Sequence, residues 1–345
     1  IRGLQVKGCT FENSRTSFPA GTLEGIGIYL LDAHAVVENL STTKTTFKKL
    51  QYGLYAASAS PGTYNFEAKN CVFDNCYYGI LNVSTHNCVV TNNDFKLGSM
   101  AITSGRTEQV GLGLVTADLY TVYYNTFTDL TANTTTIGIW TKNTGASQNA
   151  INNNAFNNLH TANLSDGSNR GSTLSSGLLY YCNGNTGNRQ YDFCVTVKPG
   201  NSSATYNGIR YNHHRTLSGF IRSAGNTFSS SLNSSNQGHL FVDPNISSVY
   251  SIAYYRGTYT NQIPIQYTTS KVSLITTSNA NCGTVGNGGS GGGGCTTCFA
   301  MMSSEQLEQS YTENQSIYNT SKSVYNTLID GGNTESLKED VHESN

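Results

Sequence analysis

The densest run of side chains able to do acid–base chemistry is Arg210-Tyr211-Asn212-His213-His214-Arg215. On an extended strand alternate residues face opposite sides, so Arg210, Asn212 and His214 share one face and Tyr211, His213 and Arg215 the other. An imidazole beside guanidinium groups can take a proton from a uronate whose carboxylate the arginines hold, which is polysaccharide lyase chemistry. The plainer alternative is an exposed basic loop. No catalytic set is assigned; Arg210, His213, His214 and Arg215 are the candidates for the lyase reading. Tyr180, Tyr181 and Tyr211 are candidate sugar-stacking residues.

Glycoside hydrolysis generally needs two carboxylates close together. Eight of the 21 carboxylates lie from Glu305 onward, and the thirteen before it are isolated, with no adjacent acidic pair and no aspartate cluster for calcium. Nine cysteines sort by context. Cys9, Cys71 and Cys76 occupy repeat positions that other copies fill with Thr, Asn or Leu, which predicts small buried side chains. Cys182 and Cys194 flank a loop rich in Gly and Asn, and a disulfide between them is expected. Cys282, Cys295 and Cys298 cluster with no histidine nearby, so disulfides or free thiols are favoured over zinc, their pairing open. The compartment implied is oxidising. No metal or cofactor is expected.

These residues sit on a chain of 345 residues that is only 12 % charged, with a formal net charge of −1. Such a balance predicts no nucleic-acid partner. No apolar run approaches the eighteen or so residues of a membrane span, and no secretory leader opens the sequence. Because the first residues already read as strand, the chain is expected to begin inside a longer precursor.

What must position the candidate residues is a repeat. A small residue or Asn, any residue and then Phe recurs at Phe11, Phe47, Phe73, Phe95, Phe127, Phe156 and Phe228. Three residues after the Phe, a second slot holds Leu50, Cys76, Leu130 and Leu159. Between them a glycine followed by aliphatics opens a further strand, as in GIGIYL from Gly25, YGLYAAS around Gly53 and YGILNVS around Gly79. Equivalent side chains of stacked coils would form ladders of Phe, Leu and Asn about 4.8 Å apart. The fold class predicted is all-β, a right-handed parallel β-helix over residues 1–245. A β-sandwich is the alternative, but sandwich strands do not stack identical residues in register. From Phe156 to Phe228 the register is lost in polar insertions, which marks the irregular coils 159–228 as the place for function.

Residues 246–281 read as terminal strands, 282–302 as a linker rich in Gly and Cys, and 303–345 as a helical tail. Ser303 and Gln306 suit a capping box, and Tyr311, Tyr318 and Tyr325 form a stripe at helical spacing over 303–329. That stripe docks on its own protein or serves a protein partner.

The repeats NCVFDNCYYGI (Asn70 to Ile80) and TTFKKLQYGLY (Thr45 to Tyr55), with the tail TLIDGGNTESLKEDV (Thr327 to Val341), resemble bacterial right-handed parallel β-helix, pectin-lyase-like surface proteins of the type IX secreted kind. The resemblance implies a secreted or cell-surface protein with a structural, adhesive or glycan-contacting role and brings no catalytic motif with it, so a non-enzymatic role is the leading expectation. Its partners would be polysaccharide or cell-surface components. Two other readings stay open: a polysaccharide lyase or glycoside hydrolase working through coils 159–228, and an accessory subunit docked through the tail.

Overall fold

The computed structural model describes residues 3–14, 25–59, 64–98, 108–132, 136–197, 206–217, 220–230, 238–247, 251–280 and 282. The chain divides into two compact units, Ile1–Ser290 and Gly291–Asn345, and every described residue lies in the first. The expected tail helix, Cys295 and Cys298 therefore fall outside the described residues.

Successive strands visit three parallel sheets in rotation. Leu4–Lys7, Thr10–Glu12 and Ile26–Leu31 make the first rung; Ala35–Glu38, Thr46–Lys48 and Tyr52–Ala57 make the second. The first and second sheets have seven strands each and the third has eight. A rung thus carries three strands, one more than the minimum of two that the repeat requires.

The register places like on like. Phe11, Phe47, Phe73, Phe95, Phe127 and Phe156 are direct partners along the second sheet. Their rings stack face to face with centroids 4.5 to 5.1 Å apart. That interval is the spacing of neighbouring strands, so backbone pairing and ring stacking are satisfied by one geometry. Along the first sheet Val37, Ala68, Val90, Val122 and Ile151 form a fully buried aliphatic ladder.

At the corner between these sheets runs an asparagine ladder. Asn93 donates from Nδ2 to Oδ1 of Asn125 at 2.9 Å, Asn125 does the same to Asn154, Asn154 to Asn183 and Asn183 to Asn226. The backbone N–H of each donor residue reaches the same oxygen. Each Nδ2 also meets a carbonyl in the first sheet, such as Ala68 or Val90. Buried amides are in this way paired with no water required. The residue just before the ladder often holds a left-handed φ: Asn70 (52°), Asn92 (56°), Asn153 (53°) and Gly225 (70°). Asn tolerates that region better than other residues with a Cβ, which explains the doubled asparagines of the repeat.

Three expectations are corrected. The register is not lost after Phe156: Asn185 takes the phenylalanine position as its direct partner, and Gly184 bridges Thr227 in the next rung. Polar residues replaced the marker while the rung persisted. Leu130 is 54 % exposed, because in that rung Asp129 pairs with Leu97 and turns inward. Asp129 is held there by Arg189 at 2.7 Å and by the Thr136 hydroxyl. Cys9 is exposed, since it sits in the first described rung with no neighbour beyond it among the described residues, whereas Cys71 and Cys76 are buried as expected. A third buried thiol, Cys88, accepts from Asn82 Nδ2 at 3.0 Å.

Candidate functional site

The third sheet presents the most distinctive surface. Inward, Leu54, Ile80, Leu112 and Ile139 stack in one row, and Gly53, Gly79, Gly111 and Gly138 pass under the phenylalanine rings. The alternate residues stand on the outer face: Tyr29, Tyr55, Leu81, Gly113, Trp140 and Leu164 are successive partners across six rungs.

Tyr29 and Tyr55 rings lie 5.1 Å apart, Tyr55 and Tyr52 5.2 Å, and Tyr52 and Tyr78 5.5 Å. Tyr29 is 53 % exposed and the others are half-buried. Packing among these rings raises the Tyr55 phenol above its ordinary value, mainly by desolvation, so the Tyr55 hydroxyl is neutral at physiological pH. Farther along, Lys142 Nζ sits 5.4 Å from the Trp140 ring and 3.6 Å from Asp166, and Tyr191 packs on Phe241 at 5.1 Å. Gly113 interrupts the row, and Leu81 leans into the gap it leaves. The result is a long aromatic face of little net charge. The signal was present in the sequence as Tyr or Trp near the repeat glycine (GIGIY, YGLY, YYGI, GIW), but the outward parity of those positions was needed to read it.

The residues singled out from sequence lie elsewhere. Tyr180 is only 1 % exposed: it follows Ile151 in the aliphatic ladder, and its hydroxyl meets Ser165 Oγ at 2.8 Å. The expectation that it stacks on sugar is corrected by its inward parity. Tyr181 and Tyr211 are half-buried, under Arg215 and Arg170 respectively.

His213 and His214 do not alternate between two open faces; both are buried. His213 Nε2 accepts from the Tyr180 N–H at 3.3 Å, and Nδ1 donates to the Arg210 carbonyl at 3.0 Å. Both ring nitrogens are thus committed to backbone, which fixes the tautomer and leaves no lone pair for substrate. His214 packs edge-on against Tyr255.

Burial, with Arg210 adding repulsion, pushes the His213 pKa from 6.5 down to about 3. A depressed histidine favours the folded state only while neutral, so its contribution is complete above pH 6.5 and is lost as pH falls toward 3. Asp192 acts in the opposite sense. Burial raises its carboxyl to about 6, although Asn188 and Ser229 donate to it, so its contribution is complete below about 4 and is lost as pH rises through 6. For His213→Gln, which keeps one acceptor and one donor, the stability lost between pH 7 and pH 5 is expected to shrink by about 2 kcal/mol. Urea titrations at the two pH values check this; an unaltered pH dependence would refute it.

The disulfide differs from the expected one. Cys182 bonds Cys282, 100 residues away, and Cys194 is a buried free thiol. Cys194 lies beside Leu164 in the third sheet, whereas Cys182 follows the strand Leu179–Tyr181 of the first sheet, at the corner where Gly225 brings Cys282 close. The loop between Cys182 and Cys194 spans two sheets, so sequence proximity did not bring their sulfurs together.

Among the described residues no group of three or more His, Cys, Asp or Glu side chains is placed to hold a metal ion, and no helix is long and apolar enough to cross a membrane. No protein-family model, curated protein or solved structure matches the chain.

Proposed function

We propose that the stacked rungs form a right-handed parallel β-helix belonging to a secreted or cell-surface protein, and that the outer face of the third sheet holds a neutral glycan chain. The observation that carries this reading is Tyr29 and Tyr55 on successive rungs, with Tyr52 and Tyr78 beside them and Trp140 in the same row beyond Leu81 and Gly113. Flat rings cover the C–H faces of sugars, while phenol hydroxyls at their rims bond sugar hydroxyls. The ion pair of Lys142 with Asp166 leaves little net charge to select an ionic ligand there. A stacked repeat offers such a surface over many sugar units, which suits adhesion better than turnover. The Cys182–Cys282 disulfide supports an oxidising, extracellular setting.

Trp140 is the only tryptophan of the chain, so its fluorescence reports on this face. Titration with neutral glucan, mannan and xylan oligomers is expected to give a saturable change with one class of glycan. In gels containing that polymer, the Tyr55→Ala/Trp140→Ala double variant is expected to lose at least about tenfold in affinity, or roughly 1.4 kcal/mol. A Trp140 signal indifferent to every neutral glycan would sink the reading.

A further inference from the structure

The net charge of −1 hides a segregation along the chain. Between Gly167 and Cys282 stand eight lysines and arginines but only two carboxylates, Asp192 and Asp243. Asp192 is fully buried. Arg189 is engaged by Asp129, and buried Lys271 donates to the Ile246 carbonyl. The arginines beyond these gather around the short sheet of Asn212–His213, Ile252–Arg256 and Val272–Thr276 and the adjoining hairpin of Arg215–Leu217 with Phe220–Arg222.

Their arrangement is unusual in four respects. Arg215 and Arg222 are direct cross-strand partners in the antiparallel hairpin, where like charges cost stability. Arg222 donates to Ser278 Oγ at 2.8 Å, and the adjacent Thr277 N–H donates to the Arg256 carbonyl, which sets the backbone of a third arginine beside the segment that Arg222 bonds. Arg210, lowered in pKa by burial, keeps a buried Nε–H without a hydrogen-bond partner among the described residues. Arg215 lies over the Tyr181 ring at 5.9 Å, a placement that orients a guanidinium fork before any ligand arrives.

We propose that this arginine-rich end, centred on Arg215, Arg222 and Arg256, binds the oxyanion groups of an acidic polysaccharide, either carboxylate or sulfate. Planar guanidinium groups match both oxyanions with paired hydrogen bonds. An anion between Arg215 and Arg222 turns their mutual repulsion into shared attraction. This surface uses none of the third-sheet aromatic row, so it extends the glycan-contact reading to a second ligand chemistry and can fail independently of it.

The test is retardation of the intact, oxidised protein in gels containing polygalacturonate, dextran sulfate or uncharged dextran. The wild type is expected to be retarded by one or both charged polymers and not by dextran; which one retards it identifies the source of the oxyanion. Arg215→Gln/Arg222→Gln is expected to lose about tenfold in affinity, and the slope of log affinity against log salt to fall by roughly one to two. The double variant relieves a like-charge pair but also gives up the Tyr181 contact and the Ser278 hydrogen bond, so its thermal midpoint is measured without ligand and binding is compared on folded protein. Arg256→Gln, outside the hairpin, should weaken binding independently, and Tyr55→Ala/Trp140→Ala should leave it unchanged. Undiminished binding by both arginine variants, equal retardation by dextran, or tighter binding to double-stranded DNA than to either acidic polysaccharide would overturn the proposal.

Discussion

Cys282→Ala is expected to lower the unfolding free energy by about 4 to 5 kcal/mol, the largest effect of any single side chain considered for this fold. The bond it removes joins positions 100 apart. Opening so long a loop restores conformational freedom chiefly to the unfolded chain. The folded side adds local packing: Ala280 is buried and its N–H donates to Ser223 Oγ, so the segment reaching Cys282 is anchored on the corner that contains Gly225. Urea unfolding under non-reducing conditions measures the cost. Cys182→Ala should match it, and the double variant should cost little more than either single change because only one bond is at stake. Cys194→Ala should leave the disulfide in place. A reductant should reproduce the effect in the wild type and do nothing further to Cys282→Ala. A loss below about 1 kcal/mol in Cys282→Ala would mean that the cross-link is energetically idle.

Gly111→Ala and Gly113→Ala, two positions apart on the strand Gln109–Val115, are expected to differ by about 3 kcal/mol or more. A Cβ on Gly111 would lie 2.6 Å from Cδ1 of Phe127 and 2.7 Å from the Gly138 carbonyl oxygen. Neither can yield: the ring is wedged in a stack at 4.5 and 5.1 Å, and the oxygen belongs to the next strand of the same sheet. A Cβ on Gly113 comes too close only to the tip of the Leu81 side chain, at 2.9 Å, which can rotate away, and meets the Tyr78 ring at an ordinary 3.6 Å. There alanine restricts the unfolded chain and is expected to be neutral or to stabilise by up to about 1 kcal/mol. Paired denaturation curves decide the matter; equal costs at the two positions would show that the stack of rungs relaxes far more than its packing implies.

Both results bear on what could be read before the structure. The phenylalanine and asparagine positions were legible because in-register parallel stacking sets equivalent residues on one another, so each slot keeps its chemistry from rung to rung. The phenylalanine slot was lost where a polar residue kept the shape and changed the type, as at Asn185, while Asn183 kept the asparagine slot beside it. The glycines were visible as a repeat, but GIGIYL was read from Gly25, and it is Gly27 that lies 2.6 Å (by its Cβ direction) from the next glycine oxygen. Spacing alone could not separate a turn glycine from a contact glycine.

The candidate surfaces were less legible for the same kind of reason. Tyr180 and Tyr55 are both tyrosines in strands flanked by apolar residues; one completes an aliphatic ladder and the other stands on the outer face. His213 looked like a base and is an internal bracket between Tyr180 and Arg210. By itself, then, the sequence determined the ladders and a repeat of at least two strands per rung, because those follow from stacking like residues at one fixed interval. The tertiary structure alone decided which face each aromatic takes, which arginines meet across the hairpin, and which cysteine Cys182 finds, because those depend on how the corners bend the chain and bring distant rungs together, a geometry that residue spacing does not carry.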